Sequence, residues 1–358
     1  MKTLHATSRQ DQIISKYYVW NFDQDFVGKR PSFDLSYLLG FILPSNSAYQ
    51  SAVIGINAYQ EFLDQLDLKL SWQAPGRELV FRPIPFWYYQ SISREQYHQL
   101  NSKVAWNLFL NDLKLRDGKN IFDSADEVIK HLKAQDRSWL FKSDQGFSGK
   151  GHSVLGPDGP FDQLANFAFP VVGEPLEKRV DDFSIFLSPY KKLKIFYRNM
   201  IDQRFQYKGT VIKSTLINDG NAFLESLGLS NEASQRFLTT LKLIESRLPG
   251  FVSKMAPNTV WGGSIDSFTY ENGGRLQAHP GCEFNFRRTM GLVSYLLWRH
   301  AFYQPAQMMM KLESWDQLPL NVRKNESEYY QYFLDRFRQE GTFTLTPYNF
   351  RPIVTFSL

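Results

Sequence analysis

Thiols are nearly absent from this chain: its 358 residues include a single cysteine, Cys282. One cysteine rules out an intrachain disulfide framework and any cysteine-based zinc site. The six histidines (His5, His98, His131, His152, His279 and His300) are scattered without ligand spacing. No apolar run approaches the roughly 20 residues of a membrane span. The opening Met-Lys-Thr-Leu-His-Ala-Thr-Ser-Arg-Gln has no apolar core of a signal peptide, so a cytoplasmic protein is expected. Excess charge of one sign is small, with 41 Lys and Arg against 36 Asp and Glu and no block of like charge. So even a spread argues against a nucleic-acid surface. Neither a G-x-G-x-x-G turn nor a Walker A loop occurs, and there is no internal repeat or low-complexity tract.

What the chain has is ordinary apolar content (43%) with many rings: 30 Phe, 18 Tyr and 8 Trp. Its length allows a large core and about two or three domains. Short segments at 36–43 and 52–56 read as strands, 57–70 has helical spacing, and the proline-interrupted 79–89 reads as an edge or connecting segment. The stretch 93–115 reads as helix broken near Asn101, with Ser102 capping the second part and Lys103 in its first turn. A helix follows at 123–134, capped by Ser124, then a strand at 139–142, a glycine-punctuated loop, a returning strand at 152–155 and another strand at 169–176. Strands are expected at 183–187, 193–198 and 205–216, and helices at 223–227 and 232–248. An antiparallel pair, 261–270 and 275–286, turns through Asn272-Gly-Gly, a hairpin signal. Helix is expected after Arg288, around 301–312 and at 326–338, with a short strand at 342–346. Strand clusters separated by helices point to an α+β fold.

Two places carry chemistry. Along a strand, side chains alternate faces, so Glu283, Asn285 and Arg287 share one side while Phe284 and Phe286 turn into the core. Asp266 lies on the preceding strand of the hairpin, and Pro280-Gly281 supplies a bulge that absorbs the length mismatch. Glu271 is the rival carboxylate, but it sits in the turn, so Asp266 is preferred. Two carboxylates and an amide oxygen on neighbouring strands suit Mg²⁺. The second place is Lys142-Ser-Asp-Gln-Gly-Phe-Ser-Gly-Lys-Gly151, where glycines let backbone amides approach phosphates and lysines add positive charge. Taken singly, each has an ordinary reading: a solvated strand face and an exposed turn. His152 and His279 read as structural, and Cys282 as a small buried apolar residue.

Lys103, the Lys142 to Gly151 loop, Glu174-Pro-Leu176 with Asp182-Phe-Ser, and Asp266 with Glu283-x-Asn285-x-Arg287 occur in an order that resembles the ATP-grasp superfamily. The resemblance covers roughly residues 100 to 300, and its tail looks like a bacterial branch related to carboxylate–amine ligases. It implies an α+β ATP-grasp fold, two α+β subdomains enclosing ATP, preceded by an α/β domain. The corresponding division is 1–100 for the preceding domain, 101–175 for the small subdomain with its glycine-rich lid, 176–300 for the central subdomain, and 301–358 for a helical extension packed on the core.

By the same resemblance, Lys103 and Lys142 hold ATP phosphates, and Gly146, Ser148, Gly149 and Gly151 form the lid. Glu174 and Leu176 meet the adenine, and Asp182 (with Asp181 competing) lies near the ribose. Asp266, Glu283 and Asn285 bind two Mg²⁺ ions, and Arg287 with Lys142 faces the transferred phosphoryl group. The implied activity is an ATP-dependent ligase that activates a substrate carboxylate as an acylphosphate and joins it to an amine. Its partners would be small carboxylates and amines, amino acids or peptides among them, in a possible homodimer. A nucleotide-binding protein without ligase activity and a phosphotransferase on the same fold are the alternatives. Glu283→Ala is expected to abolish MgATP-dependent turnover while leaving the fold intact; full ADP release by the variant would refute the metal assignment.

Overall fold

The computed structural model describes residues 20–21, 57–66, 84–85, 92–116, 118–145, 151–189, 192–259, 261–287, 289–300, 302, 304–346, 348 and 353–358. The segments expected as strands at 36–43 and 52–56 lie outside these residues, as do Gly146, Ser148 and Gly149 of the glycine-rich loop. The chain divides into two compact units, one formed by Met1–Gln90, Gly209–Ser214 and Met290–Leu358, the other by Ser91–Lys208 and Thr215–Thr289. In the first unit, strands β1 (Trp20–Asn21) and β2 (Ile84–Pro85) pair in parallel, and α1 (Asn57–Gln65) is helical as its spacing predicts. Among the described residues, no helix is long and apolar enough to cross a membrane.

The second unit opens with two capped helices, α2 (Arg94–Leu100) and α3 (Lys103–Asp112). Ser93 accepts from the Gln96 N–H and Ser102 from the Ala105 N–H, which satisfies first-turn donors and sets the break that the sequence shows near Asn101. A small antiparallel sheet follows. It consists of β3 (Ile121–Phe122), β4 (Trp139–Ser143), β5 (His152–Leu155) and β6 (Val171–Pro175), in the order β3-β6-β4-β5, with α4 (Ala125–Lys133) after β3. Phe122, Phe141 and Val171 join Val128 and Leu132 of α4 in one buried apolar cluster. Lys142 lies directly opposite Val172 and His152, and Leu140 opposite Glu174. Alternation therefore places Leu140, Lys142, His152, Val172 and Glu174 on the face turned from that cluster.

The larger sheet of this unit contains β7 (Arg179–Ser188) and β8 (Leu193–Ile201). After β9 (Tyr207–Lys213) come the helices α5 (Gly220–Ser226) and α6 (Asn231–Met255). Helix α6 runs through Pro249, past the expected stop at Leu248, because Phe251 and Val252 beyond the proline are buried and Phe251 packs 4.8 Å from the Phe109 ring. Packing there outweighs the one backbone bond that proline removes. Next are β10 (Gly263–Asn272), β11 (Arg275–Ala278) and β12 (Glu283–Asn285), with both β11 and β12 pairing with β10. Gly273 and Gly274, at φ +58° and +73°, make the tight turn that joins β10 to β11. The stretch expected as one strand over 275–286 is thus two strands, interrupted at His279-Pro-Gly-Cys282. Across that interruption Thr269 faces Ala278 and Asp266 faces Glu283, so the irregularity restores the register.

Strand β7 sorts its side chains cleanly. Phe183, Ile185 and Leu187 are buried on one face, where Phe183 meets Phe223 of α5 at 5.7 Å and Phe237 of α6 at 5.5 Å. Asp182 and Ser184 take the other face, which carries the polar groups described below.

The first unit is completed by α7 (Met290–His300), β13 (Gln307–Glu313), α8 (Leu320–Lys324), α9 (Glu326–Glu340), β14 (Thr342–Thr344) and β15 (Ile353–Ser357). Here the expectation of helix over 301–312 is overturned: Met308 and Met310 alternate with their neighbours, are fully buried, and lie in a strand paired with β9 and β15. Two tertiary partners override the helical propensity of methionine. The C-terminal part is therefore mixed strand and helix, not a helical extension. Phe62 of α1 stacks on Tyr330 of α9 at 4.9 Å.

Phe284→Ala tests the apolar side of β12. Phe284 is buried and its ring stacks on Trp106 at 5.4 Å. The substitution is expected to cost about 3–5 kcal/mol, whereas Leu108→Ala at an exposed position should stay within about 0.5 kcal/mol. Denaturant melts compare them, and similar small losses for both would refute the assigned core.

Candidate functional site

The site grows from one row of residues across the larger sheet of the second unit. Tyr197, Ser184, Asp266 and Glu283 lie directly opposite one another on β8, β7, β10 and β12. Directly opposite residues of antiparallel strands share a face. Asp266 is held at both oxygens: Ser184 Oγ donates to Oδ1 at 2.7 Å and Asn285 Nδ2 donates to Oδ2 at 2.8 Å. Burial and the neighbouring Glu283 carboxylate push Asp266 up to about 7, against the partial relief of the Ser184 bond. Tyr197, buried beside this row, bonds the hydroxyls of Ser264 and Thr289, each at 3.1 Å, and burial pushes its phenol up to about 12.

Glu283 sits among cations. Lys103 Nζ is 3.3 Å from its Oε1, and that lysine is only 2% exposed. Burial alone would raise the Glu283 pKa, but Lys103, Arg287 and Lys142 outweigh it and hold the carboxylate below its usual range. Arg287 donates to the Tyr97 hydroxyl at 3.5 Å, and Asn101 brackets the backbone just before it by accepting from Phe286 N at 3.0 Å and donating to Phe286 O at 3.4 Å. Strand β12 ends at Asn285, short of the expected run to Arg287, and α2 with Asn101 fixes the bend that carries the arginine.

On the small sheet, Lys142 and Glu174 form a diagonal cross-strand ion pair at 2.5 Å, nearly inaccessible to water. Arg179 reaches the same carboxylate oxygen at 3.2 Å and also donates to Asp182 at 3.0 Å. Its guanidinium lies over the rings of Phe268 and Phe205, 3.9 and 4.9 Å from their centroids. Burial acts to raise the Glu174 pKa, but Lys142 and Arg179 prevail and keep it ionised far into acid. His152, opposite Lys142, is driven down to about 4 by burial and by that lysine, so it is neutral at pH 7.

The two lysines are tied by Asp144, which the sequence reading did not single out. This residue follows β4 and binds the start of α3: Oδ1 accepts from Ser102 Oγ at 2.6 Å and from Val104 N at 2.9 Å, and its carbonyl accepts from Lys103 N at 3.3 Å. A carboxylate at a helix N-terminus is favoured by the helix dipole. Ser143 N also donates to Gly151 O at 2.9 Å, closing the base of the glycine-rich loop.

Asp266, Glu283 and Asn285 are thus neighbours, and Asn285 Oδ1 is buried without a hydrogen-bond partner. An orphaned amide oxygen beside two carboxylates fits a small, oxygen-seeking cation such as Mg²⁺. Among the described residues there is no cluster of three or more His, Cys, Asp or Glu side chains, so the oxygen set is this mixed one. Glu271, the rival carboxylate, is exposed at the far end of β10 and pairs with Lys178 at 2.6 Å.

Other expected residues have protein partners of their own. The Leu176 N–H is committed to Ser138 O at 2.9 Å. Asp182 pairs with Arg179 and Asp181 with Arg198. Glu174 is enclosed by Lys142 and Arg179, so removing either partner disturbs a buried charge as well as any ligand contact. Likewise Glu283→Ala removes the anion 3.3 Å from Lys103, and Glu283→Gln, which keeps an acceptor there, is the cleaner variant. Cys282 does not behave as a purely apolar filler: its Sγ donates to Asp266 O at 3.2 Å, and burial pushes the thiol up to about 12. Arg116 is a buried cation that the sequence did not signal; it donates to His279 Nε2 and, at 3.0 Å, to Gly281 O. Burial and Arg116 keep His279 neutral.

No family model matches the chain, and no curated protein matches it. Solved structures do. An N5-carboxyaminoimidazole synthetase from Staphylococcus aureus complexed with ADP is similar at TM-score 0.46 and 9% identity, over 84% of this chain and 90% of that one. An Aspergillus clavatus N5-carboxyaminoimidazole synthase in complex with ADP and 5-aminoimidazole ribonucleotide is similar at TM-score 0.45 and 10% identity, over 74% and 70%. A phosphoribosylamine–glycine ligase from Thermotoga maritima is similar at TM-score 0.39 and 15% identity, over 70% and 67%.

The Asp266 carboxyl is raised from 3.8 to about 7 in the fold. Its ionised form is therefore penalised, from nothing below pH 3.8 to a full penalty above about pH 7. Asp266→Asn should raise the Tm of the metal- and nucleotide-free protein at pH 8, and the gain should shrink as pH falls toward the unfolded pKa. Thermal melts at pH 8 and pH 5 check this; an equal gain at both would refute it.

Proposed function

We propose that this chain is an ATP-dependent ligase that activates a carboxylate and joins it to an amine. The observation that carries the reading is the surrounding of Glu283: Lys103 at 3.3 Å, with Arg287 and Lys142 contributing to its field, on the face that also presents Asp266 and the orphaned Asn285 oxygen. Such a mixture of cations and hard oxygen ligands suits a polyphosphate and its metal better than a neutral substrate.

In the proposed reaction a substrate carboxylate oxygen bonds to the γ-phosphorus, the bond to the β–γ bridging oxygen breaks, and ADP leaves. The amine nitrogen then bonds to the acyl carbon, the carbon–oxygen bond to phosphate breaks, and the amine gives up a proton. Lys103, Lys142 and Arg287 stabilise the charge on the moving phosphoryl group. Mg²⁺ held by Asp266, Glu283 and Asn285 would neutralise phosphate charge. His152, neutral beside Lys142, adds no further positive charge at pH 7. Glu174 and Asp182, the residues assigned to the base and ribose, are both paired with Arg179, so a nucleotide there would meet that arginine as well as the two carboxylates. No nucleophilic side chain is required, consistent with a cysteine whose burial keeps it a thiol.

A screen of ADP release over amino acids and other small carboxylates, each with and without amines, tests the reading, with product masses measured. The expected result is Mg²⁺-dependent ADP release requiring a carboxylate, with a product whose mass is the sum of acid and amine less water. A stable phosphorylated substrate would instead make the chain a phosphotransferase. Mg²⁺-independent ATP binding with no ADP release over the whole panel would make it a binding protein.

A further inference from the structure

The carboxylate of Asp266 is oriented by a directed hydrogen-bond chain whose first two members, Asn199 and Ser184, take no part in the proposed reaction. Asn199 on β8 donates from Nδ2 to Ser184 Oγ at 2.6 Å. Ser184, 2% exposed on β7, donates in turn to Asp266 Oδ1 at 2.7 Å. From the opposite side, Asn285 Nδ2 donates to Asp266 Oδ2 at 2.8 Å.

Direction matters because a hydroxyl has one proton. An amide N–H of Asn199 fills an acceptor position on Ser184 Oγ, and the single Ser184 proton goes to the carboxylate. With a donor on each oxygen, rotation of the Asp266 carboxylate is fixed. The fourth member follows from the same logic. Once the Asn285 nitrogen is committed to a carboxylate, the rotation of its planar amide is set, and its oxygen is the buried atom left without a partner. The chain therefore begins with a donor at Asn199 and ends in an open acceptor at Asn285.

We infer that Ser184 and Asn199 are positioning residues for the divalent cation, setting the orientation of Asp266 and thereby that of the Asn285 oxygen. This deepens the proposed function and rests on its placement of the cation at Asp266, Glu283 and Asn285. Hydrogen bonds to ligating carboxylates tune affinity without touching the metal, and their removal typically costs about 10–100-fold.

Two variants separate orientation from packing. Ser184→Ala deletes the donor to Asp266. Asn199→Asp keeps shape but offers Ser184 an acceptor instead of a donor, so the one hydroxyl proton is contested. Ser184→Thr, which keeps the hydroxyl, is the conservative control. The readout is Mn²⁺ binding to the full chain, followed by the loss of the free-ion electron paramagnetic resonance signal, with and without ADP, alongside thermal melts without metal. The expected result is Mn²⁺ affinity weakened about tenfold or more in Ser184→Ala and Asn199→Asp, and near wild type in Ser184→Thr. Wild-type Mn²⁺ affinity in both variants, whatever their melting temperatures, would overturn the inference and leave the proposed cation site standing. Absence of Mn²⁺ binding by the wild-type chain, with or without ADP, would overturn both together.

Discussion

A lysine that is 2% exposed has to be matched by an anion, and in this protein Lys103 is matched by Glu283. Burying two charges costs several kcal/mol each before their attraction is counted, so an isolated pair of this kind adds little to stability. What it does is fix partners. Lys103 begins a helix and Glu283 begins a strand, so the pair ties one element to the other. A second buried pair, Lys142 with Glu174, repeats the arrangement across the small sheet. Neither pair stabilises the fold much by itself, and the surrounding packing has to carry the cost.

That packing comes from the division of faces. The β7 side chains Phe183, Ile185 and Leu187 lie on the side covered by α5 and α6, while Asp182 and Ser184 lie on the other. Asp266, raised to about 7 by burial and by Glu283, is the clearest sign that this second side is arranged against stability. A carboxylate kept in so unfavourable a place is characteristic of functional sites.

Much of this was legible in the sequence because it depends on alternation and on local chemistry. The serine caps at 102 and 124 follow from short-range hydrogen bonding, and the pairing of Asp266 with Glu283 follows from a hairpin signal and a bulge at Pro280-Gly281. What escaped depends on distant partners. Arg179 looks like one more charge in Glu177-Lys-Arg until the fold sets it over Phe268 and Phe205 with a carboxylate on either hand. The methionines of β13 carry no strand propensity of their own and become a strand through β9 and β15. Helix α6 passes its proline for the same reason, since the burial of Phe251 and Val252 cannot be seen from local preference.

Asp144 has a consequence for the glycine-rich segment that it precedes. It clasps the first turn of α3 only two positions after Lys142, while Ser143 and Gly151 close the segment at its base. The separation of the two buried ammonium groups is therefore measured out by a helix cap and a pair of ion pairs.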